Sequence, residues 1–287
     1  MKTTTKHYVM IGAATLLATP SLFAQTFQYQ QYDVNPGNIT LIDNTGLYSY
    51  GNGGEFRAAG DARLTSIVNQ SAYSQYTLGQ LNDANNVGWG SQSGYAQNGA
   101  LYFQTFCTEY NEEFTPGNPY NVSYVGNAAL YDARGSGNPV PITIGVAYLY
   151  SLFASGNLAG YDYAYGSGRS VSAGELQSAI WDLLGENVGY LDTSSSTSGN
   201  NNYWIYQILV DKFGSQSAWD AAANGAYGVA DMVLSSPGAA QDQLVIINNG
   251  QPQAVPVPEA STVFAGALML LPLGASALRI VRKNRQA

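Results

Sequence analysis

Cysteine, histidine and basic residues are all scarce in this 287-residue chain. The single cysteine, Cys107, excludes any disulfide within the chain. The single histidine, His7, lies close to the N-terminus, so the rest of the chain has no imidazole for a Ser-His or Cys-His pair or for a zinc site. We therefore expect neither an enzyme of these classes nor a bound metal or cofactor.

Positive charge is concentrated at the two ends. Residues 25–257 contain five of the 11 Lys and Arg residues but every Asp and Glu of the 19 except Glu259. The five basic residues are Arg57, Arg63, Arg134, Arg169 and Lys212. So acidic a region repels polyanions, which argues against nucleic acid and anionic membrane surfaces as partners.

Residues 1–24 have the order of a secretory signal peptide. Lys2 and Lys6 are followed by an apolar stretch over residues 8–18, and the small residue Ala24 ends the segment. We expect cleavage after Ala24 and export across the inner membrane. Cys107 would then function in a compartment where cysteines commonly pair.

The C-terminus contains a second apolar segment. Residues 263–278 are mostly apolar, and this run is slightly shorter than the about 17–25 residues of an ordinary spanning helix. A basic cluster follows it, formed by Arg279, Arg282, Lys283 and Arg285. Positive residues beside a spanning helix favour the cytoplasmic side, so the segment predicts a membrane anchor with the preceding chain outside.

A short motif precedes this segment, formed by Val257, Pro258, Glu259 and Ala260. Together with the apolar run and the basic cluster, it resembles the PEP-CTERM sorting signal, with Ala260 where a second proline is usual. The resemblance implies a Gram-negative exporter and an exosortase-type processing protease that cuts near the motif. The protein would be anchored in the membrane transiently and then reach the cell surface or extracellular matrix. A plain C-terminal anchor is the alternative.

Between these signals, residues 25–248 predict one α+β domain, followed by a linker over 249–257 and the sorting signal over 258–287. The N-terminal half of this domain contains short segments rich in β-branched and aromatic residues, which are typical of a barrel or sandwich. A helical half with three to four helices follows, and the segment QLVIINN predicts a returning strand. Ser172 and Glu175 have capping-box spacing and predict the start of the second long helix, which Gly185 would end.

A glutamine lies on the apolar side of that second helix. Leu176, Ile180 and Leu184 form an apolar row, and Gln177 and Trp181 lie beside it as i and i+4 neighbours. A buried amide is costly unless it is hydrogen-bonded. Gln177 therefore needs a partner within the fold.

The segments FCTEY (residues 106–110) and QSAIW (residues 177–181) resemble the paired motifs of thioester domains from bacterial surface adhesins. In that family a cysteine sulfur condenses with a glutamine side chain and ammonia leaves. The resemblance implies an internal thioester between Cys107 and Gln177 that an amine on a target surface can open. It also implies a role in attachment.

Five residues in or near the two motifs are candidates for supporting roles. Phe106, Tyr110 and Trp181, with Phe103, would keep water from the acyl group. Glu109 and Tyr110 would assist proton transfer.

Three other interpretations stay open. A lone cysteine is often a small buried hydrophobe, and Gln177 can simply hydrogen-bond a backbone group. The 22 tyrosines favour a non-covalent exopolysaccharide-binding or structural matrix protein. Carboxylate pairs such as Glu112 and Glu113, or Asp182 and Glu186, would suit glycoside hydrolysis, but such pairs arise by chance in so acidic a chain.

Neutralising Arg279, Arg282, Lys283 and Arg285 should weaken retention at the inner membrane and disturb C-terminal processing, because the cluster fixes orientation. Fractionation and immunoblotting in a host that carries the exosortase measure both effects. Substitution of Glu259 should matter more than substitution of Gln253 in the linker. Unchanged processing of the neutralised variant, or equal sensitivity at the two single positions, would indicate an ordinary anchor.

Overall fold

A computed structural model describes the central part of the chain. The described residues are 31–42, 55–80, 101–110, 112–115, 117–129, 139–164, 166–186, 189, 191–195, 202–235 and 240–248. The signal peptide, the linker, the sorting motif, the apolar run 263–278 and the basic cluster lie outside them, as does the segment 46–51, which was predicted as a strand. Among the described residues, no helix is long and apolar enough to cross a membrane.

An antiparallel sheet forms the centre of the described part, with seven strands in the order β3-β4-β2-β1-β5-β8-β9. A two-stranded ladder, β6 with β7, is separate from it. The strands are β1 (Gln31–Ile42), β2 (Phe56–Gly60), β3 (Leu78–Gln80), β4 (Leu101–Thr105), β5 (Pro119–Gly126), β6 (Ala128–Ala129), β7 (Val140–Pro141), β8 (Val229–Ser235) and β9 (Ala240–Ile246).

Helices occupy most of the chain between β7 and β8. They are α2 (Ile144–Ala154), α3 (Ser167–Leu183), α4 (Tyr203–Phe213) and α5 (Gln216–Trp219), and a short α1 (Ala62–Ile67) follows β2. The predicted α+β class is thus confirmed, with an open sheet in place of a closed barrel.

Strand β8 was not predicted because it lacks an alternating pattern. Its sequence, VADMVLS, has six buried residues followed by one half-buried residue. A strand that is covered on both faces has no polar side to show, so period-two alternation disappears. Sequence reasoning therefore recognised only β9 as a returning strand.

Helix α3 begins earlier than its capping box predicts. It starts at Ser167, after Gly166, so Ser172 and Glu175 lie inside the helix. Their side chains make tertiary contacts instead: the Asp162 N–H donates to Ser172 Oγ over 3.1 Å, and Trp204 Nε1 donates to Glu175 Oε2 over 2.8 Å. The predicted end is correct, since the left-handed Gly185 (φ +74°) follows the helix.

Helix α2 packs beneath the two strands that bring the candidate site together. The Tyr150 hydroxyl lies 2.8 Å from the Gln104 carbonyl oxygen on β4 and 3.1 Å from the Leu244 carbonyl oxygen on β9. Phe153 contacts Phe106 edge to face at 4.9 Å. One helix therefore supports β9 and the end of β4 together.

The end of β4 hydrogen-bonds to β9, although the two strands are not neighbours in the sheet order. The Thr108 N–H donates to the Asp242 carbonyl and the Leu244 N–H to the Phe106 carbonyl, each over 3.0 Å. Between these bonds, Cys107 lies opposite Gln243. We call residues 106–108 and 242–244 the seam.

A buried ion pair connects α3 to the start of β2. The Arg169 guanidinium donates to both carboxylate oxygens of Glu55, with Nε 2.9 Å from Oε2. The Tyr161 hydroxyl donates to Oε2 over 2.6 Å. Both charged side chains are fully buried, so loss of either partner would leave an uncompensated charge in the core.

Arg169→Met should lower the free energy of unfolding by about 3–5 kcal/mol, because it leaves the buried Glu55 carboxylate unpaired. Urea denaturation of the full chain measures the loss, with the exposed Arg63→Met as the matched control. The double variant Glu55→Met/Arg169→Met should recover part of the loss. An Arg169→Met effect no larger than the Arg63→Met effect would contradict the structural role of the pair.

Candidate functional site

Cys107 is fully buried in the seam. Its side chain belongs to a small apolar cluster with Phe56 and Trp181, against which Tyr110 and Phe114 pack. Ring contacts tighten this enclosure, with Tyr110 and Trp181 5.0 Å apart and Phe56 and Phe114 4.8 Å apart, both edge to face. The sulfur is therefore enclosed by aromatic side chains, and we call this enclosure the pocket.

Two of the predicted flanking residues point into a different part of the protein. Phe103 packs with Tyr73 at 5.6 Å, and Phe106 packs with Phe153. Both phenylalanines belong to the main hydrophobic core rather than to the cluster around Cys107. Tyr110 and Trp181 lie in the sulfur's own cluster, so the direct enclosure comes from them and from residues that the sequence did not indicate.

Gln177 contacts the backbone of Cys107. The Cys107 N–H donates to Gln177 Oε1 over 3.0 Å, and Gln177 Nε2 donates to the Cys107 carbonyl over 2.8 Å. Cys107 and Gln243 form a non-hydrogen-bonded pair, in which the backbone N–H and C=O of each residue point away from the partner strand. The side-chain amide of Gln177 hydrogen-bonds to both the N–H and the C=O of Cys107, as the backbone of a neighbouring strand would.

The sulfur of Cys107 instead faces two glutamines of β9. Its Sγ lies 2.7 Å from Gln241 Oε1 and 3.2 Å from Gln243 Nε2. Gln241 and Gln243 are two positions apart, so they project to the same face of the strand. Sequence reasoning missed both, although the segment AQDQLVI combines three polar residues with a fully buried strand.

The contact between Sγ and Gln241 is unusually close. Non-bonded carbon atoms lie about 3.5–4.0 Å apart at their optimum, and sulfur is larger than carbon. The Cys107 thiol donates a hydrogen bond to Gln241 Oε1, and its length of 2.7 Å is short for a contact to sulfur. The carbonyl carbon of Gln241 is one bond beyond this oxygen, and its Nε2 donates to the Glu109 carbonyl.

Three buried carboxyl groups lie behind the seam. Glu109 Oε2 accepts the Asp242 N–H over 3.0 Å, and Thr108 Oγ1 donates to Asp231 Oδ1 over 3.0 Å. Burial, strengthened by the charge of Glu109, raises the pKa of Asp231 well above its ordinary value. Among the described residues, no group of three or more His, Cys, Asp or Glu side chains is arranged to hold a metal.

The thiol is held in its protonated form by the same environment. Burial raises the pKa of Cys107 well above its ordinary value, a hydrogen bond from Gln243 opposes this effect, and the charges of Glu109, Asp231 and Asp242 add to it. The Cys107 thiolate is thus disfavoured at neutral pH. Attack by the sulfur requires proton removal within the site.

Two polar atoms beside Cys107 have no hydrogen-bond partner in the part of the chain that the structure describes. They are Trp181 Nε1, a donor, and Gln243 Oε1, an acceptor. Buried indole N–H and amide groups usually find partners. The pocket therefore has unused capacity to donate and to accept one hydrogen bond.

No protein-family model, curated protein or solved structure matches this chain. The geometry of the site and the two sequence motifs therefore provide the basis for a functional proposal.

Gln177→Met should lower the free energy of unfolding by about 2–4 kcal/mol, because two buried backbone groups of Cys107 lose their partner. Methionine keeps the length of the side chain, so packing changes little. Chemical denaturation measures the effect against Gln75→Met, a substitution at an exposed position. Equal costs for the two variants would show that the Gln177 amide does not hold Cys107.

Proposed function

We propose that this protein is an exported attachment protein that captures amines covalently through an internal thioester at Cys107. The observation that carries the proposal is the short hydrogen bond of 2.7 Å from Sγ to Gln241 Oε1 within the aromatic enclosure. The resemblance of FCTEY and QSAIW to thioester-domain motifs supports it from the sequence.

The reaction needs no cofactor. The sulfur of Cys107 bonds to the carbonyl carbon of a glutamine side chain, the carbon–nitrogen bond breaks, and the thiol proton leaves with the nitrogen as ammonia. A target amine then attacks the same carbon, the carbon–sulfur bond breaks, and a stable amide forms as the thiol is regenerated. No oxidant or reductant takes part.

The contacts favour Gln241 over Gln177 as the acyl donor. Gln177 binds the Cys107 backbone through both polar atoms of its side chain, whereas Gln241 contacts the sulfur itself through Oε1 and the Glu109 carbonyl through Nε2. We therefore assign Gln177 to holding Cys107 in place and Gln241 to forming the bond. Gln177, the partner that the motif resemblance implies, is the alternative.

The surroundings of the proposed thioester favour a bond that persists until a target amine arrives. Aromatic rings exclude water, which would otherwise hydrolyse the activated acyl group. The raised pKa of Cys107 also disfavours release of a thiolate before an amine arrives, because the sulfur leaves readily only with a proton. Both effects prolong the lifetime of the bond.

Export and the sorting signal give the trap its location. The signal peptide and the PEP-CTERM-like segment would deliver the domain to the cell surface or extracellular matrix after exosortase processing and transient membrane anchoring. There its partners would be amine-bearing surfaces or an extracellular polysaccharide that carries amines.

The deciding experiment is mass spectrometry of the full chain, isolated from the producing cells without heat or amines. We expect the loss of one ammonia, a crosslink between the peptides that contain Cys107 and Gln241, and addition of one methylamine per chain at Gln241. Cys107→Ala and Gln241→Met should abolish all three signals. Gln177→Met should reduce the yield yet leave the methylamine at Gln241, and Gln75→Met should behave as the wild type.

Each alternative gives a different outcome. A methylamine adduct at Gln177 would make Gln177 the acyl donor. Full sequence mass with a thiol that alkylates as soon as the protein is unfolded would make Cys107 a structural residue. In that case polysaccharide binding that survives Cys107→Ala but falls on substitution of exposed tyrosines would support the non-covalent role.

A further inference from the structure

We infer that Gln243 presents the attacking amine to the acyl group and supports the departing sulfur, which makes the trap selective for primary amines over water. This inference rests on the proposed thioester between Cys107 and Gln241. It assigns a role to a side chain that bond formation itself does not use.

The position of Gln243 is fixed by the seam. It lies directly opposite Cys107 in a non-hydrogen-bonded pair, the arrangement in which facing residues approach closest, with Cα atoms about 4.5 Å apart. Its Nε2 lies 3.2 Å from Sγ and donates to the main-chain carbonyl oxygen of Gln241 over 3.1 Å. These two contacts hold the side chain beside the reacting atoms.

The free end of Gln243 is an acceptor inside the pocket. The residue is fully buried, and within the described ranges its Oε1 has no hydrogen-bond partner. An amide oxygen accepts hydrogen bonds and cannot donate them, so the complementary ligand group carries an N–H or O–H. An atom of this kind beside a reactive thiol indicates a place for the incoming nucleophile.

A primary amine fits this arrangement better than water. The amine nitrogen and a water molecule each have two hydrogens, of which one is lost during the reaction and the other can stay bonded to Gln243 Oε1, so the difference between them lies in a second contact. The substituent on an amine also provides apolar area to pack against the aromatic rings of the pocket. Water offers no such contact and gains less from the site.

The other end of Gln243 acts on the leaving group. As the amine nitrogen bonds to the acyl carbon of Gln241, the carbon–sulfur bond breaks and its electron pair moves to Sγ. The Nε2–H of Gln243 then donates to a negatively charged sulfur, and such charge-assisted bonds are stronger than neutral ones. The sulfur finally takes the proton that the amine loses.

The test compares reaction rates of the full chain after the thioester has formed. In the fraction of Gln243→Met that has lost ammonia, we expect a rate constant for methylamine addition at least tenfold lower than in the wild type, with a smaller decrease in the rate of hydrolysis. Gln243→Glu keeps an acceptor at this position and should retain more of the methylamine rate than Gln243→Met. Gln75→Met controls for the substitution.

The ratio of the methylamine rate to the hydrolysis rate is the decisive readout, because a purely structural loss would lower both rates together. An unchanged ratio in Gln243→Met overturns the inference. So does failure of both Gln243 variants to lose ammonia, which would make Gln243 necessary for forming the bond, or a methylamine adduct on Gln243 itself. If the wild type loses no ammonia, it is the proposed function that fails.

Discussion

The side-chain amide of Gln177 holds the backbone of Cys107 on the side that β9 leaves free. The seam bonds at Phe106 and Thr108 hold it from the other side. Cys107 is therefore fixed between a helix and a strand although it lies beyond the end of β4. Every contact of its sulfur depends on this position, since a small shift of the backbone would move Sγ away from Gln241.

The surroundings of this residue differ from an ordinary core. In and around the seam, a thiol, two glutamine side chains and three carboxyl groups are buried, and Trp181 Nε1 and Gln243 Oε1 lack hydrogen-bond partners among the described residues. Buried polar groups of this kind are costly, so a protein stable through packing alone would replace them with apolar residues. Their concentration around one sulfur is the feature that the proposed thioester chemistry would account for.

Stability is supplied elsewhere in the fold. Helix α2 packs Tyr150 and Phe153 against the strands, and the Glu55–Arg169 pair joins α3 to the start of β2. Because α3 also carries Gln177, the ion pair near its N-terminus helps to hold the amide that positions Cys107. The site is thus a polar region supported by a well-packed frame.

Local sequence patterns determined the α+β class, the end of α3 and the place of Gln177 on the buried side of that helix. Helical periodicity and the helix end at Gly185 depend on residues a few positions apart, so they can be predicted from the sequence. Only the tertiary structure decided what each group contacts. Gln177 lies on the Cys107 backbone, and Gln241 meets the sulfur from 134 positions away. The register of β9 against the seam, which fixes that contact, arises from strand pairing across the whole domain, and no local pattern encodes it.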